Sequence, residues 1–564
     1  MKILFADNGV GFLEVHSRLL EMQGYEVLKA STVEEARHLL GQRWVHLAIL
    51  DIRMLDDDDE RDISGLLLAQ RDDYRPVPKI MLTAYPSYEY VREALGTTPG
   101  GRPPAVNFLR KGEGPEALIQ AVEQAFSKHV CINWSLHIRW GRQSQLSSPH
   151  LVSLIYPSLP NDQLAYRTSE LEDLFRKLFY EYDHLSLGRI LTWRNRWVML
   201  TAFAYRDGGA QDEYVVACGH RAKINEEEAR YSSLALDKTN VSLNESAETL
   251  QFGGTTYRLL GCTLEDVLSF QDCFRHRSAE DLQAAAEALF QETLGPYYSK
   301  GQENKQRPLE AFFHERLGQE GLAVTQSELE ERVQGICRAT LKAGLQRFDY
   351  SPHRLTLVSP DEADPSYPNP APYLYEERVA VSPPTLCGTI HGRLDAERVL
   401  VDRERGAWVV DFGETGTGPL VRDFATFESS IKFDVLEGTR LSARAALEER
   451  LLLMSSLDDS VDDEGLDPEA AKALAVIGVV RSEAATVLGS DVEPYLVALL
   501  YCAAERFIAY SPELRYTREE VAVFAHTLLS MAMICQQLFS WEDRLQNLPT
   551  QASESLWVDI DNME

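Results

Sequence analysis

Over the first 128 residues, short apolar runs alternate with amphipathic stretches. Ile3–Ala6, Glu26–Ala30, Leu47–Leu50, Lys79–Thr83 and Val106–Leu109 are the runs, and they predict strands of a parallel sheet covered on both faces. Between them the periodicity predicts helices near 10–23, after the Thr32-Val-Glu-Glu35 capping box, and near 114–127. This strand–helix repetition specifies a doubly wound α/β domain with five parallel strands.

The pattern then changes. Gly, Gln, Ser, Pro, Asn and Asp crowd 141–165, which predicts a linker or irregular loop. Ser169–Tyr180 reads as a helix, and Ile190–Tyr205 and Tyr214–Cys218 as strands of an antiparallel sheet joined through the turn Asp207-Gly208-Gly209. From about 278 helices dominate, at 278–294, 325–345, 441–456, 466–488, 491–509 and 517–540. They are interrupted by a Pro-rich loop at 359–384 and a hairpin-like segment at 388–412. The most membrane-like run, Val521–Cys535, contains His526, Thr527 and Ser530, so it reads as a buried core helix too short and polar to span.

Composition narrows the function classes. A chain of 564 residues with 44% hydrophobic residues has apolar mass for three or four domains. Its 56 Lys and Arg against 87 Asp and Glu leave a net charge of −31, which repels phosphate backbones and anionic lipid, so neither nucleic acid nor membrane is expected as a partner. The 8 cysteines show no C-x-x-C pair, which argues against a disulfide framework or zinc ribbon and fits a reducing cytoplasm.

Ligands of open parallel sheets bind beyond the carboxyl ends of the strands, and there stand Asp7-Asn8, Asp51, Thr83 and Lys111. Asp7 and Asp51 are hard oxygen donors suited to Mg²⁺. Asp51 is a candidate phosphoryl acceptor, Thr83 a hydrogen-bond donor to a phosphoryl oxygen, and Lys111 a counter-charge. The acidic run 56–60 reads as a solvated loop.

With Phe5-Ala-Asp-Asn8, Leu50-Asp-Ile-Arg-Met54, Leu82-Thr-Ala84 and Phe108-Leu-Arg-Lys111 in place, residues 1–128 resemble a response-regulator receiver domain. The resemblance implies that Asp51 takes phosphate from a histidine kinase or other phosphodonor. It implies that Asp7, Asp51 and the Arg53 backbone carbonyl hold Mg²⁺, with Asn8 contributing weakly, and that Phe108 switches with Thr83. Asn8 at the second acidic position, Gly112 after the lysine and a lengthened loop after the acceptor depart from the family pattern.

A second set of motifs runs from Cys387-Gly-Thr-Ile-His-Gly-Arg-Leu-Asp395 through Arg398 to Ala407-Trp-Val-Val-Asp-Phe-Gly413, and on to Gly418-Pro-Leu-Val-Arg-Asp-Phe424. It resembles the catalytic loop and metal-binding segment of protein-kinase-like phosphotransferases of the aminoglycoside and choline kinase type. That resemblance implies a two-lobed body, with an amino lobe at 131–272 and a helical carboxyl lobe at 273–564 after a receiver at 1–130. Asp411, Asp395 and Glu227 would line a degenerate nucleotide cleft, and Leu185-Ser-Leu-Gly-Arg-Ile190 would be its phosphate loop. Ala217, Arg393 and Arg398 stand where the family's lysine, aspartate and metal-binding asparagine are expected, so ATP binding is doubtful and the body reads as pseudokinase-like rather than enzymatic. A rescued enzyme would use Asp395 and Lys223. Gly413-Glu-Thr-Gly-Thr-Gly418 lacks the following Lys-Ser/Thr of a phosphate loop and reads as a flexible loop.

The expected function is phosphorelay signalling in which Asp51 phosphorylation controls how the pseudokinase-like body binds a protein partner. An ATP-Mg-dependent phosphotransferase gated by the receiver and a scaffold subunit of a bacterial defence or signalling complex are the alternatives. A homodimer is left open.

Overall fold

The structure is a computed structural model that describes Met1 to Gln546, apart from 57, 97–102, 142–145, 195, 207–208, 210, 234–239, 300–301, 306–307, 320–323, 359–364, 376–384 and 437–439. The expected turn at 207–208, most of the Pro-rich loop at 359–384 and the acidic tail Trp557–Glu564 therefore lie outside the described residues. The chain forms two compact units. One comprises 1–229 and 241–260, the other 230–240 and the chain from 261.

The first unit opens with β1 (Lys2–Ala6), α1 (Val10–Met22), β2 (Glu26–Ala30), α2 (Val33–Gln42), β3 (Leu47–Asp51), α3 (Ser64–Ala69), β4 (Lys79–Thr83), α4 (Tyr88–Leu95), β5 (Asn107–Arg110) and α5 (Pro115–Ala125). The five strands are parallel in the order β2-β1-β3-β4-β5. Strand alternation explains the apolar runs. Ile3, Phe5, Leu47 and Ile49 face one helical layer, and Leu4, Ala6, Ala48 and Leu50 the other. Thr32 caps α2 by accepting the Glu35 N–H, as its sequence motif predicts.

The same unit continues with β6 (His137–Trp140), α6 (Ser148–Ile155), α7 (Asn161–Leu178), β7 (His184–Arg194), β8 (Trp197–Tyr205), β9 (Gln211–His220), α8 (Arg221–Ser233), β10 (Val241–Glu248) and β11 (Phe252–Leu259). These strands form a six-stranded sheet in the order β10-β11-β9-β8-β7-β6. It is mixed rather than antiparallel throughout, because β6 pairs with β7 in parallel. Where a linker or irregular loop was expected at 141–165, residues 148–155 and 161 onward are helical: Ser147 caps α6, a proline occupies its first turn, and α7 starts directly after Pro160. The single strand expected at Ile190–Tyr205 is two, β7 and β8. The expected phosphate loop at 185–190 lies inside β7, where the register slips between Leu187 and Ile190. Gly188 is needed there because a Cβ would stand 2.1 Å from Thr201 Oγ1.

The parallel sheet is fastened to α7 and β10 at the amino-terminal ends of its strands. Trp44 Nε1 and His46 Nε2 donate to Asp173 Oδ2 at 3.1 and 3.0 Å, while the Lys2 N–H donates to His46 Nδ1 at 2.7 Å. His46 is thereby fixed as one neutral tautomer, and burial lowers its pKa against the pull of Asp173. Arg75 pairs with Glu248, and Leu250 and Ile132 belong to the apolar core of the parallel sheet.

The described residues of the second unit form three three-stranded sheets and a helical majority. Thr385–Ile390 lies between Glu303–Lys305 and Gly416–Pro419, and Val399–Val401 between Leu268–Ser269 and Ala407–Val409. The hairpin-like segment at 388–412 therefore contributes to two sheets. Gly413–Gly418, expected as a flexible loop, is a 3-10 turn at Phe412–Glu414 followed by a strand. Among the described residues of this unit the longest helices are Arg518–Gln546, Pro468–Leu488 and Gln326–Lys342, followed by Glu493–Ile508. Among the described residues, one helical stretch, Arg518–Leu538, is long and apolar enough to cross a membrane by length and composition. It is longer than the run read from sequence, and most of it is buried within the protein.

That helix explains its own polar residues. Lys432 Nζ donates to Glu448 Oε2 and Ser530 Oγ at 2.9 and 3.0 Å, His526 Nε2 donates to Glu448 Oε1 at 2.9 Å, and Arg444 Nη1 donates to His526 Nδ1 at 3.1 Å. Burial lowers His526 to about 4 despite Glu448; burial also works against the Glu448 charge, but Lys432 and His526 together outweigh it and hold that carboxyl at about 2. Both folded-state values lie below the unfolded ones of 6.5 and 4.5, so the unfolded chain takes up protons first and both contributions are lost on acidification. The urea midpoint of this unit should fall as pH drops from about 6.5 to 4, and again below about 4.5. His526→Phe should flatten the upper stage, and a wild-type midpoint constant from pH 7 to 4.5 would refute the assignment.

Candidate functional site

Parallel packing brings the carboxyl ends of β1, β3, β4 and β5 together, and with them all four polar positions read from the sequence. Asp7 follows β1, Asp51 ends β3, Thr83 ends β4 and Lys111 follows β5. Asp7, Asp51 and Thr83 are buried at 0, 2 and 1% exposure, so their polar groups depend on one another. Lys111 Nζ lies 2.6 Å from Asp51 Oδ2 and 2.8 Å from Asp7 Oδ2, bridging the two carboxylates. Burial works against the ammonium charge, but Asp51 and Asp7 outweigh it and raise the lysine pKa. Phe12 lies under the same ammonium, 5.0 Å from its ring centroid.

The loop after the acceptor is built around Asp62. Its Oδ2 accepts the N–H groups of Leu55 and Asp56 at 2.7 and 3.0 Å, and its Oδ1 accepts that of Ser64 at 2.9 Å. Burial opposes ionisation there, yet these backbone donors lower the Asp62 pKa. The described residues of the acidic run 56–60 are exposed, as a solvated loop should be. Gly65 sits so close that a Cβ would stand 1.8 Å from the Asp51 carbonyl oxygen. Arg53 is 7% exposed and stacks over Tyr85 at 4.7 Å, and the Tyr85 N–H donates to Thr83 Oγ1 at 3.1 Å. Phe108 is half-buried against the core beneath Thr83's strand.

Among the described residues no group of three or more His, Cys, Asp and Glu side chains could hold a metal ion. The Asp7–Asp51 pair nevertheless fits Mg²⁺, which takes one or two carboxylates and retains waters. Asn8 Oδ1, beside Asp7, is buried without a hydrogen-bond partner and is a spare oxygen donor at the same strand end.

The second set of candidates lies in the other unit and is saturated with arginine. Arg398 Nε donates to Asp411 Oδ2 at 2.6 Å, and its Nη1 is bonded to Asp395 Oδ2. Arg393 and Arg316 hold the two oxygens of Glu414 at 2.9 and 2.5 Å, bringing that carboxyl down to about 2 against the effect of burial. Although the strands before them belong to different sheets, His391 comes next to the Asp411 segment: its Nε2 lies 3.1 Å from the Val410 carbonyl oxygen. Asp411 adopts a left-handed conformation with φ of 68°. Asp423 accepts the N–H groups of His391 and Gly392 at 2.7 and 2.9 Å, and burial raises its pKa. Glu227 belongs to the first unit, where it is buried and accepts the Tyr257 hydroxyl at 2.5 Å. Ala217 is a buried central-strand residue of β9, and Lys223 lies on α8.

Sequence reading missed Arg316, Glu414, Arg422 and Glu505. Arg422 pairs with Glu505 at 3.1 Å and caps the Gly392 carbonyl at 2.8 Å. The partners are 83 residues apart for Arg422–Glu505 and 98 for Arg316–Glu414, so no local spacing marks them.

Two regions match known families. Residues 3–123 match the response regulator receiver domain, and residues 354–505 match a family described as ternary complex associated domain 9. The transcriptional regulatory protein GlrR of Escherichia coli K12 is 30% identical over 155 residues, 27% of this chain and 32% of that protein. QseF of Escherichia coli O157:H7 matches to the same extent. The chain thus spans about a third of the length of the curated relatives it matches. Among solved structures, a receiver domain protein from Methanospirillum hungatei JF-1 is 26% identical, covering 22% of this chain and 94% of its own, with a TM-score of 0.20. A Francisella receiver domain is 23% identical with the same 22% of this chain, 97% of its own and a TM-score of 0.19. The carboxylate and lysine cluster at the ends of a five-stranded parallel sheet, together with the family match over 3–123, makes the N-terminal part of this chain a response-regulator receiver domain.

Proposed function

We propose that the chain is a phosphorelay protein whose receiver is phosphorylated on Asp51 and whose C-terminal body is a catalytically silent, kinase-like module that binds a protein partner. The observation that carries the first half is the Lys111 ammonium bridging Asp7 and Asp51, with Thr83 buried at the next strand end.

In this reading an Asp51 carboxylate oxygen bonds to the phosphorus of the donor as the bond from that phosphorus to the donor's leaving group breaks, the leaving group keeping the electron pair. Asp7, Asp51 and the Arg53 carbonyl, with Asn8 contributing weakly, would hold Mg²⁺, which would supply charge neutralisation for the transferred group. Lys111 is already poised at Asp51 Oδ2 and moves its charge to a phosphoryl oxygen. The Thr83 hydroxyl turns from the Tyr85 N–H towards the same group, and Phe108 fills the space it leaves. The silent body is supported by Arg398 and Arg393, whose fixed charges are engaged by Asp395, Asp411 and Glu414. The net charge of −31 favours a protein reader over DNA. A scaffold role is the second reading, favoured by the match of 354–505 to a family described as ternary complex associated.

Incubation with a radiolabelled small phosphodonor such as acetyl phosphate and Mg²⁺ should label the full chain, and Asp51→Asn should abolish the label. Equal labelling of the variant would remove the proposal.

A further inference from the structure

Within the second unit, two carboxylates converge on a single guanidinium in the segment that joins Ile390 to Phe412. Arg398 donates through Nε to Asp411 Oδ2 at 2.6 Å and through Nη1 to Asp395 Oδ2. The pairing is locked by the backbone. The Arg398 N–H donates to Asp395 Oδ1 at 3.2 Å, and the Val410 N–H donates to the Arg398 carbonyl at 3.1 Å, so the arginine and the two aspartates are held by one short loop and one strand junction. All three side chains are withdrawn from water, with 5, 10 and 16% exposure for Arg398, Asp395 and Asp411.

Two aspartates brought this close without a cation would repel strongly in a poorly solvated site. Protonation of one carboxylate, a bound divalent ion or a protein cation would relieve the repulsion, and this chain carries the last. A guanidinium cannot leave by deprotonation, and its planar fork bonds both carboxylates at once. Burial opposes its charge, and Asp395 and Asp411 more than restore it.

We infer that Arg398 is a built-in cation that occupies a divalent-metal position between Asp395 and Asp411 and keeps the pair closed to Mg²⁺ and Mn²⁺. The inference rests on the reading of the C-terminal body as a silent kinase-like module and names the residue that makes it metal-independent. Any phosphate-bearing ligand of this region is then received without a metal ion on Asp411. The metal position is latent: neutralising residue 398 opens it.

The test counts Mn²⁺ ions bound to the full chain by electron paramagnetic resonance of the unbound ion. Arg398→Met should bind one Mn²⁺ more than wild type, and Arg398→Met with Asp411→Asn should return to the wild-type count. Arg398→Lys, which keeps a cation in place, should not gain an ion. Wild type and Asp411→Asn should bind equal numbers, and this arm decides the matter even if the methionine variant does not fold. A wild-type ion that is lost in Asp411→Asn overturns the inference, as does a folded Arg398→Met protein with the wild-type count. The receiver ion is counted separately through Asp51→Asn, so failure of Asp51 labelling and failure of the latent site give different results.

Discussion

Arg481→Met is expected to destabilise the second unit by about 3–5 kcal/mol, the usual cost of stranding one member of a buried ion pair. Arg481 is 1% exposed, and its Nε and Nη2 hold both oxygens of Glu428 at 2.9 and 2.7 Å. Nη1 donates to the Leu451 carbonyl at 2.7 Å, and the Tyr495 hydroxyl donates to Glu428 Oε2 at 2.9 Å. One guanidinium thus ties the helix Val421–Ser430, which follows the arginine cluster, to Pro468–Leu488 and to the end of Leu441–Leu452. Methionine fills much of the volume but leaves Glu428 buried with only the tyrosine for company. Urea unfolding should show the loss, and adding Glu428→Leu should recover much of it, because a matched apolar pair carries no desolvation penalty. A double variant no more stable than Arg481→Met would mean that the network acts through its geometry rather than its charge balance.

Gly65→Ala is expected to slow Asp51 labelling about 100-fold, the order of effect that follows a displacement of about 1 Å in a reacting group. The new Cβ would stand 1.8 Å from the Asp51 carbonyl oxygen and 2.9 Å from its carbonyl carbon, so either α3 or the end of β3 must move. The Gly65 N–H also donates to the Ile52 carbonyl at 3.0 Å, which leaves the helix little freedom to retreat. An accompanying stability loss of about 1–3 kcal/mol is the ordinary cost of overpacking. Gly11→Ala is the control, since its Cβ meets nothing within 4 Å. Labelling at the wild-type rate in Gly65→Ala would show that the acceptor tolerates the shift.

The parallel sheet and its site were readable because each signal is local. A buried strand declares itself in four or five consecutive residues, and the polar residue at its end marks the site without knowledge of what lies beside it. Asp7, Asp51, Thr83 and Lys111 meet because parallel strands align their carboxyl ends. The stretch 141–165 misled for a physical reason: Ser147, Pro149 and Pro160, the residues that punctuate turns, here start helices. The phosphate loop expected at 185–190 was placed by motif order alone, and its single glycine serves the close approach of Thr201 within the sheet. The arginine cluster was half legible. Arg393 and Arg398 stood out by their place in the phosphotransferase-like motifs, but Arg316, which shares Glu414 with Arg393 and also pairs with Glu505, joins them only through the tertiary fold.

The bond from Trp44 and His46 to Asp173 determines where this protein can be cut. A fragment ending near 130 would leave an indole and an imidazole without their acceptor and a bare apolar hollow where Leu250 packs. The receiver is therefore not a cassette that can be exchanged at its last helix. The smallest piece that carries its whole core extends to the end of β11, and a chimera that respects that border keeps the phosphoacceptor on the footing it has in the intact chain.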